Sequence, residues 1–169
     1  MAELPTKDDL AKLPGRAIVC YAATCLEKAM DRCGLREIEE PNIKQVLEAA
    51  SRFFTGAERF PETRPVESLV CGEPPYSDTF QADRDAVGAA AKLLSFVLSS
   101  AQYNDQRAQN NAAENAARAG NCAKEAARLA GHDISPNIHA LYKHLLRDYG
   151  WPGVNVSYND ARQAFEGVD

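Results

Sequence analysis

The chain has 169 residues, 45% apolar and 25% charged, close to the averages of a globular domain, which excludes disordered, collagen-like and membrane-spanning chains. This length predicts a single domain over residues 1–169, and a net charge of −5 with basic residues scattered among acids excludes nucleic acid as an expected partner. Neither a basic start nor an apolar run of signal-peptide length opens the sequence, and no later apolar stretch approaches ~18 residues, so a cytoplasmic protein without a membrane partner is expected.

Apolar residues recur with helical period along most of the chain and sustained alternation is nearly absent. The expected fold class is all-α: a compact bundle of five to six helices with one long alanine-rich helix or bent helix pair. Thr6 stands three residues before Asp9, as a capping residue does, and opens a short helix running to Leu13. Pro14 suits the first turn of a longer helix whose Ile18, Tyr21, Ala22, Cys25, Ala29 and Cys33 form one apolar stripe ending at Gly34. Arg36 to Glu40 reads as loop. Pro41 opens an amphipathic helix carrying Ile43, Val46, Leu47, Ala50, Phe53 and Phe54, closed near Gly56.

Residues 57–77 hold four prolines and read as a crossing segment with little regular structure. Ser77 or Asp78 then caps a helix with Phe80, Val87, Ala90, Ala91, Leu94, Val97 and Leu98 inward. That helix either continues, bent near Tyr103-Asn104-Asp105, to Gly131, or stops so that Asn104 caps a new one. Ser135-Pro136 reads as a cap followed by a first-turn proline, and Ile138, Leu141, Tyr142, Leu145, Leu146 and Tyr149 define the next helix, stopped at Gly150. After the turn and short terminal segment beginning at Trp151, Ser157 caps a last helix with Ala161, Ala164 and Phe165.

Alanine is concentrated between Ala82 and Ala130, with sixteen in forty-nine residues. Ala108, Ala112, Ala116, Ala119, Ala123, Ala126 and Ala130 recur at steps of three and four, a seam of small side chains that brings another backbone close. The partner of the seam is either another helix of the chain or a second copy. The opposite face is as regular: Arg107, Asn111, Glu114, Arg118, Asn121 and Glu125, with Glu114 expected to pair with Arg118, and Arg118 with Asn121 or Glu125. Gln102, Gln106, Gln109, Asn110 and Asn115 make this surface rich in amides, which suits adaptable recognition of a protein.

Reactive groups form no recognisable constellation. His139 and His144 are five apart, about 140° around a helix, a poor geometry for shared ligation, while His144 is spaced to pair with Asp148 and His132 falls outside the helix. The acid pairs Asp8-Asp9 and Asp83/Asp85 fit helix starts. Five cysteines, Cys20, Cys25, Cys33, Cys71 and Cys122, lack a Cys-x-x-Cys pair and read as free, mostly buried thiols. Phosphate-loop, dinucleotide, nucleophile-elbow and zinc-helix motifs are absent from the sequence, so no cofactor or metal is expected.

Over Leu13, Pro14, Ala17, Val19, Tyr21, Ala22, Ala23 and Cys25 the chain resembles the opening of a group of alanine-rich helical bacterial proteins of unknown function, frequent in planctomycetes. This chain lacks the Trp and second Arg that those openings often carry. The resemblance implies a bacterial, intracellular, all-helical protein and no particular activity. Together these features lead to a helical module that binds another protein, as an adaptor, a toxin-neutralising partner or a defence or signalling component. Its candidate interaction surface is Arg107, Asn111, Glu114, Arg118, Asn121, Glu125 and Trp151. An alternative is an enzyme or small-ligand binder with a site between the alanine-rich helix ending at Gly131 and the next helix, stopped at Gly150, using His139, Tyr142 and the Asn/Glu/Arg stripe. A third is a homo-oligomer held by the alanine seam.

Overall fold

The computed structural model describes residues 4–34, 41–57, 80, 82–101, 105–151 and 154–167. Over these the chain is all-α, with seven helices: α1 (Lys7–Leu10), α2 (Gly15–Cys33), α3 (Pro41–Phe54), α4 (Asp83–Ala101), α5 (Gln106–Leu129), α6 (Ser135–Asp148) and α7 (Tyr158–Glu166). The expected loop at 36–40, nearly all of the proline-rich 57–77, the caps Ser77 and Asp78, and Cys71 and Asn104 lie outside the described residues.

Local chemistry sets most helix ends. The Thr6 hydroxyl accepts from the Asp9 backbone N–H at 3.2 Å, and Asp9 accepts from the Thr6 N–H at 3.0 Å, a reciprocal capping box. The helix it opens is shorter than expected, stopping at Leu10. Gly34, at φ 73°, closes α2 in the left-handed region. Between α4 and α5 the chain breaks: Asp105, extended at φ −142°, caps Ala108 N–H, so the alanine-rich stretch belongs to two helices. The start of α6 differs from expectation. Ser135 is its buried first residue, Ile134 holds the cap position, and the Asp133 carboxylate accepts from the Ser135 N–H at 3.0 Å. An aspartate two residues upstream thus takes the place expected of the serine. Ser157 caps α7 through the Asp160 N–H.

α2 is the axis of the molecule. It packs against α3, α4, α5, α6 and α7, and every residue from Ala17 to Leu26 is buried. The single stripe expected of it is therefore too narrow: a helix with neighbours on all sides buries all of its faces. α4 and α5 form the most extensive helix pair, and both lie on α2. α3 rests on α2 and α4 through Ile43, Val46, Ala50, Phe53 and Phe54, while α7 is docked on α6 and α2 by Ala161 and Phe165.

Candidate functional site

Polar face, small face and close approaches of α5

The seam residues Ala108, Ala112, Ala116, Ala119, Ala123 and Ala126 are all buried, joined by Ala113, Ala127, Cys122 and Gly120, and Ala130 is half-buried at the cap. This face is filled by α2 and α4 of the same chain, with α1 against it as well. A second copy has no access to it. At Gly120 the approach is closest: a Cβ built there would lie 2.7 Å from the hydroxyl of Tyr21, a fully buried residue of α2. That hydroxyl finds no hydrogen-bond partner, and burial, first, with the neighbouring Cys25 thiol holds its ionisation well above the usual tyrosine range. Glycine is required here by space, since Gly120 sits inside a helix.

On the outer face Arg107, Asn111, Glu114 and Asn121 are exposed, while Arg118 and Glu125 are half-buried. Gln106 donates to the Asn110 carbonyl oxygen at 2.9 Å, an amide pair one turn apart. Glu125 pairs with Arg128 through both carboxylate oxygens, and the Arg128 guanidinium holds its carboxyl below the usual range. Arg128, three residues on, is therefore the partner found for Glu125 where the sequence pointed to Arg118.

Gln109 breaks the pattern of the stripe. Its amide turns inward and donates to the carbonyls of Ala11 at 3.1 Å and Leu13 at 2.7 Å, pinning the turn after α1. From α6, the Tyr142 hydroxyl donates to the Asp9 carbonyl at 3.0 Å. α1 and its turn thus sit between the residues proposed for a site at the α5–α6 junction, and Tyr142 serves as a strut. His139 is half-buried nearby and acts electrostatically on Asp9. Among the described residues no group of three or more His, Cys, Asp or Glu is placed to hold a metal ion.

The α6–α7 corner

Leu146 and Trp151 are the large apolar side chains left exposed among the described residues, at 39% and 60%. The helical period places Leu146 inward, but α6 is covered by α7 and α2 alone among its principal neighbours, and Leu146 faces outward. Trp151 follows α6 directly; Pro152 and Gly153 of the expected turn lie outside the described residues. His144, in the last turns of α6, meets Asp148 as its spacing predicts, with Nδ1 to Oδ2 at 3.2 Å. Its Nε2 lies 3.4 Å from Asp160 of α7, which also accepts from the Tyr149 hydroxyl at 2.6 Å.

On the far side of α7, Arg162 forms a fork with Glu27 of α2, at 2.9 and 3.2 Å, and stacks over the Tyr158 ring at 3.7 Å. Tyr158 meets Phe54 edge-on. Beside it, Thr55, Asn155, Val156, Ser157, Tyr158 and Asn159 line a shallow open cleft of about 450 Å³. Three of its polar members are engaged: the Thr55 hydroxyl donates to the Ser51 carbonyl, Ser157 caps α7, and Asn159 accepts from Arg162, while the buried Tyr158 hydroxyl makes no hydrogen bond.

Among the described residues no helix is long and apolar enough to cross a membrane. Comparison with protein-family models, with curated proteins and with solved structures finds no match to this chain.

Proposed function

We propose that this protein is an intracellular helical module that binds another protein, with Trp151 as the anchor of its recognition surface. The observation that carries the reading is the exposure of Trp151, which, with Leu146, stands apart from the buried large apolar side chains among the described residues. A bare indole costs solvation and gains most when a partner covers it, and tryptophan is the residue most enriched in binding hot spots. Leu146, exposed on the helix that leads to it, supports the reading, and the outer residues Arg107, Asn111, Glu114 and Asn121 of α5 supply donors and acceptors for a polar rim. The alanine seam takes no part in recognition, since it is spent on internal packing.

The test is capture from the native cell with wild type, Trp151→Ala and Asn111→Ala/Asn121→Ala baits, followed by measurement of affinity for whatever the wild type retains. A hot-spot tryptophan contributes at least about 2 kcal/mol, so Trp151→Ala weakens the complex about thirtyfold. A partner retained with equal affinity by all three baits overturns the assignment of both surfaces.

A further inference from the structure

The exposed side of α6 carries formal charge of one sign over most of its length. From Ser135 to Arg147 the helix has no aspartate or glutamate, and Lys143, Leu146 and Arg147, at i, i+3 and i+4, share one exposed face that leads toward Trp151. The opposite side buries Ile138, Leu141, Tyr142 and Leu145, so the described helices leave this face of α6 open. The two exposed large apolar side chains among the described residues, Leu146 and Trp151, thus occur beside two exposed cations.

Both cations retain donors for a visitor. Lys143 has no ion-pair partner among the described residues. Arg147 grips Asp148 with Nε at 2.9 Å and Nη2 at 3.2 Å, while its Nη1 stays uncommitted on a side chain that is 74% exposed. Asp148 is spent in that pairing, its carboxyl held below the usual range first by Arg147. The chain as a whole carries −5, so this face is a local exception to its charge. At physiological salt charges are screened beyond about 8 Å, and the cations nearest a docked segment decide which sign it prefers.

We infer that the occupant of this face is an acidic amphipathic segment of another protein: its apolar side chains cover Trp151 and Leu146, and its Asp or Glu carboxylates meet Lys143 and Arg147. The inference rests on the reading of Trp151 as a recognition anchor and adds the chemistry of what the anchor recognises. Charge-assisted hydrogen bonds to the carboxylates fix the register of the segment, while the apolar contact supplies most of the affinity.

Trp151 is the one tryptophan of the chain, so its emission reports directly on the face. The probes are three helical peptides of about four turns with the same leucine stripe and with Glu, Gln or Lys flanks. In about 0.05 M NaCl the Glu peptide is expected to shift Trp151 emission to the blue and to bind about three- to tenfold more tightly than the Gln peptide, the size of two exposed ion pairs, with the Lys peptide weakest; the differences close by about 0.5 M NaCl. Lys143→Gln/Arg147→Gln removes the preference, and Lys143→Gln, which leaves the Arg147–Asp148 pair intact, removes part of it. Leu146→Ser weakens all three peptides alike. Equal affinity for the three peptides, a preference that survives the double substitution, or no emission shift with any of them overturns the acidic occupant. A larger shift with phosphatidylserine vesicles than with the Glu peptide overturns it as well, in favour of a lipid surface. The anchor itself stands or falls separately, on the capture experiment with Trp151→Ala.

Discussion

Replacing Gly120 with alanine sets two effects of opposite sign against each other. Alanine is favoured over glycine inside a helix by about 1 kcal/mol. The added methyl, however, would stand 2.7 Å from the Tyr21 hydroxyl, about 0.7 Å inside the 3.4 Å at which ordinary contact begins. Tyr21 is fully buried, so its ring cannot swing aside, and overpacking of this kind costs about 1–3 kcal/mol. Gly120→Ala alone is thus expected to destabilise the protein by about 0–2 kcal/mol. In a Tyr21→Phe background the nearest atom becomes the ring Cζ at 3.4 Å, the clash disappears and the same substitution stabilises by about 1 kcal/mol. Tyr21→Phe itself is neutral or stabilising, because the hydroxyl it removes is buried without a partner. Urea unfolding of the four proteins closes the cycle. With a slope of about 2 kcal/mol/M, a coupling of about 2 kcal/mol separates the midpoint shifts by about 1 M. Equal effects of Gly120→Ala in both backgrounds, within about 0.5 kcal/mol, would falsify the close approach of α2 and α5.

Other perturbations reach different parts of the same framework. Gln109→Ala deprives two carbonyls of their donor and is expected to cost about 1–3 kcal/mol, with amide exchange accelerating first in α1; unchanged protection at Leu10 and Leu13 contradicts the pinning of that turn by Gln109. Asp9 is held below the usual carboxylate range by the Thr6 backbone N–H, and Glu166 by Arg32 and then Lys28. Both groups have folded values below their unfolded ones, so their contribution is present above about pH 4 and lost as pH falls through the folded values; urea midpoints should drop there, less so in Glu166→Gln. In native protein at pH 8, iodoacetamide is expected to leave Cys20, Cys25 and Cys122 unmodified by mass spectrometry. All three are buried, and burial pushes the Cys20 thiol up to about 12. Labelling of any of them at the rate of a free thiol speaks against the packing around α2.

What the sequence makes legible is what short-range chemistry decides. Thr6, Ser157, the glycine after α2 and the alanine period all act within one or two turns, and each is where the residue pattern puts it. Neighbouring capping residues defeat the same reasoning: Asn104 and Asp105 offer the same chemistry, as do Asp133 and Ser135, and it is the carboxylates of Asp105 and Asp133 that accept the N–H groups of Ala108 and Ser135. Polar residues that turn inward are invisible to an apolar period. Gln109 looks like part of a solvated amide stripe until the α1 carbonyls are placed opposite it, and Tyr142 looks like a reactive group until its hydroxyl meets Asp9. Gly120 did carry a signal, a lone glycine within a run of alanines, which marks close backbone approach. The exposed stripe of α5 follows from periodicity, whereas the exposure of Leu146 depends on which neighbours α6 has.

The tight seating of α5 has a consequence for its outer side. A helix held along its length by α1, α2 and α4 cannot bow or slide, so Arg107, Asn111, Glu114 and Asn121 project from a fixed ruler, about 21 Å from first to last at 1.5 Å per residue. A surface already frozen loses little backbone entropy when something settles on it, and the side chains alone remain to be ordered. The small residues on one face thereby set the spacing at which the other face can be read.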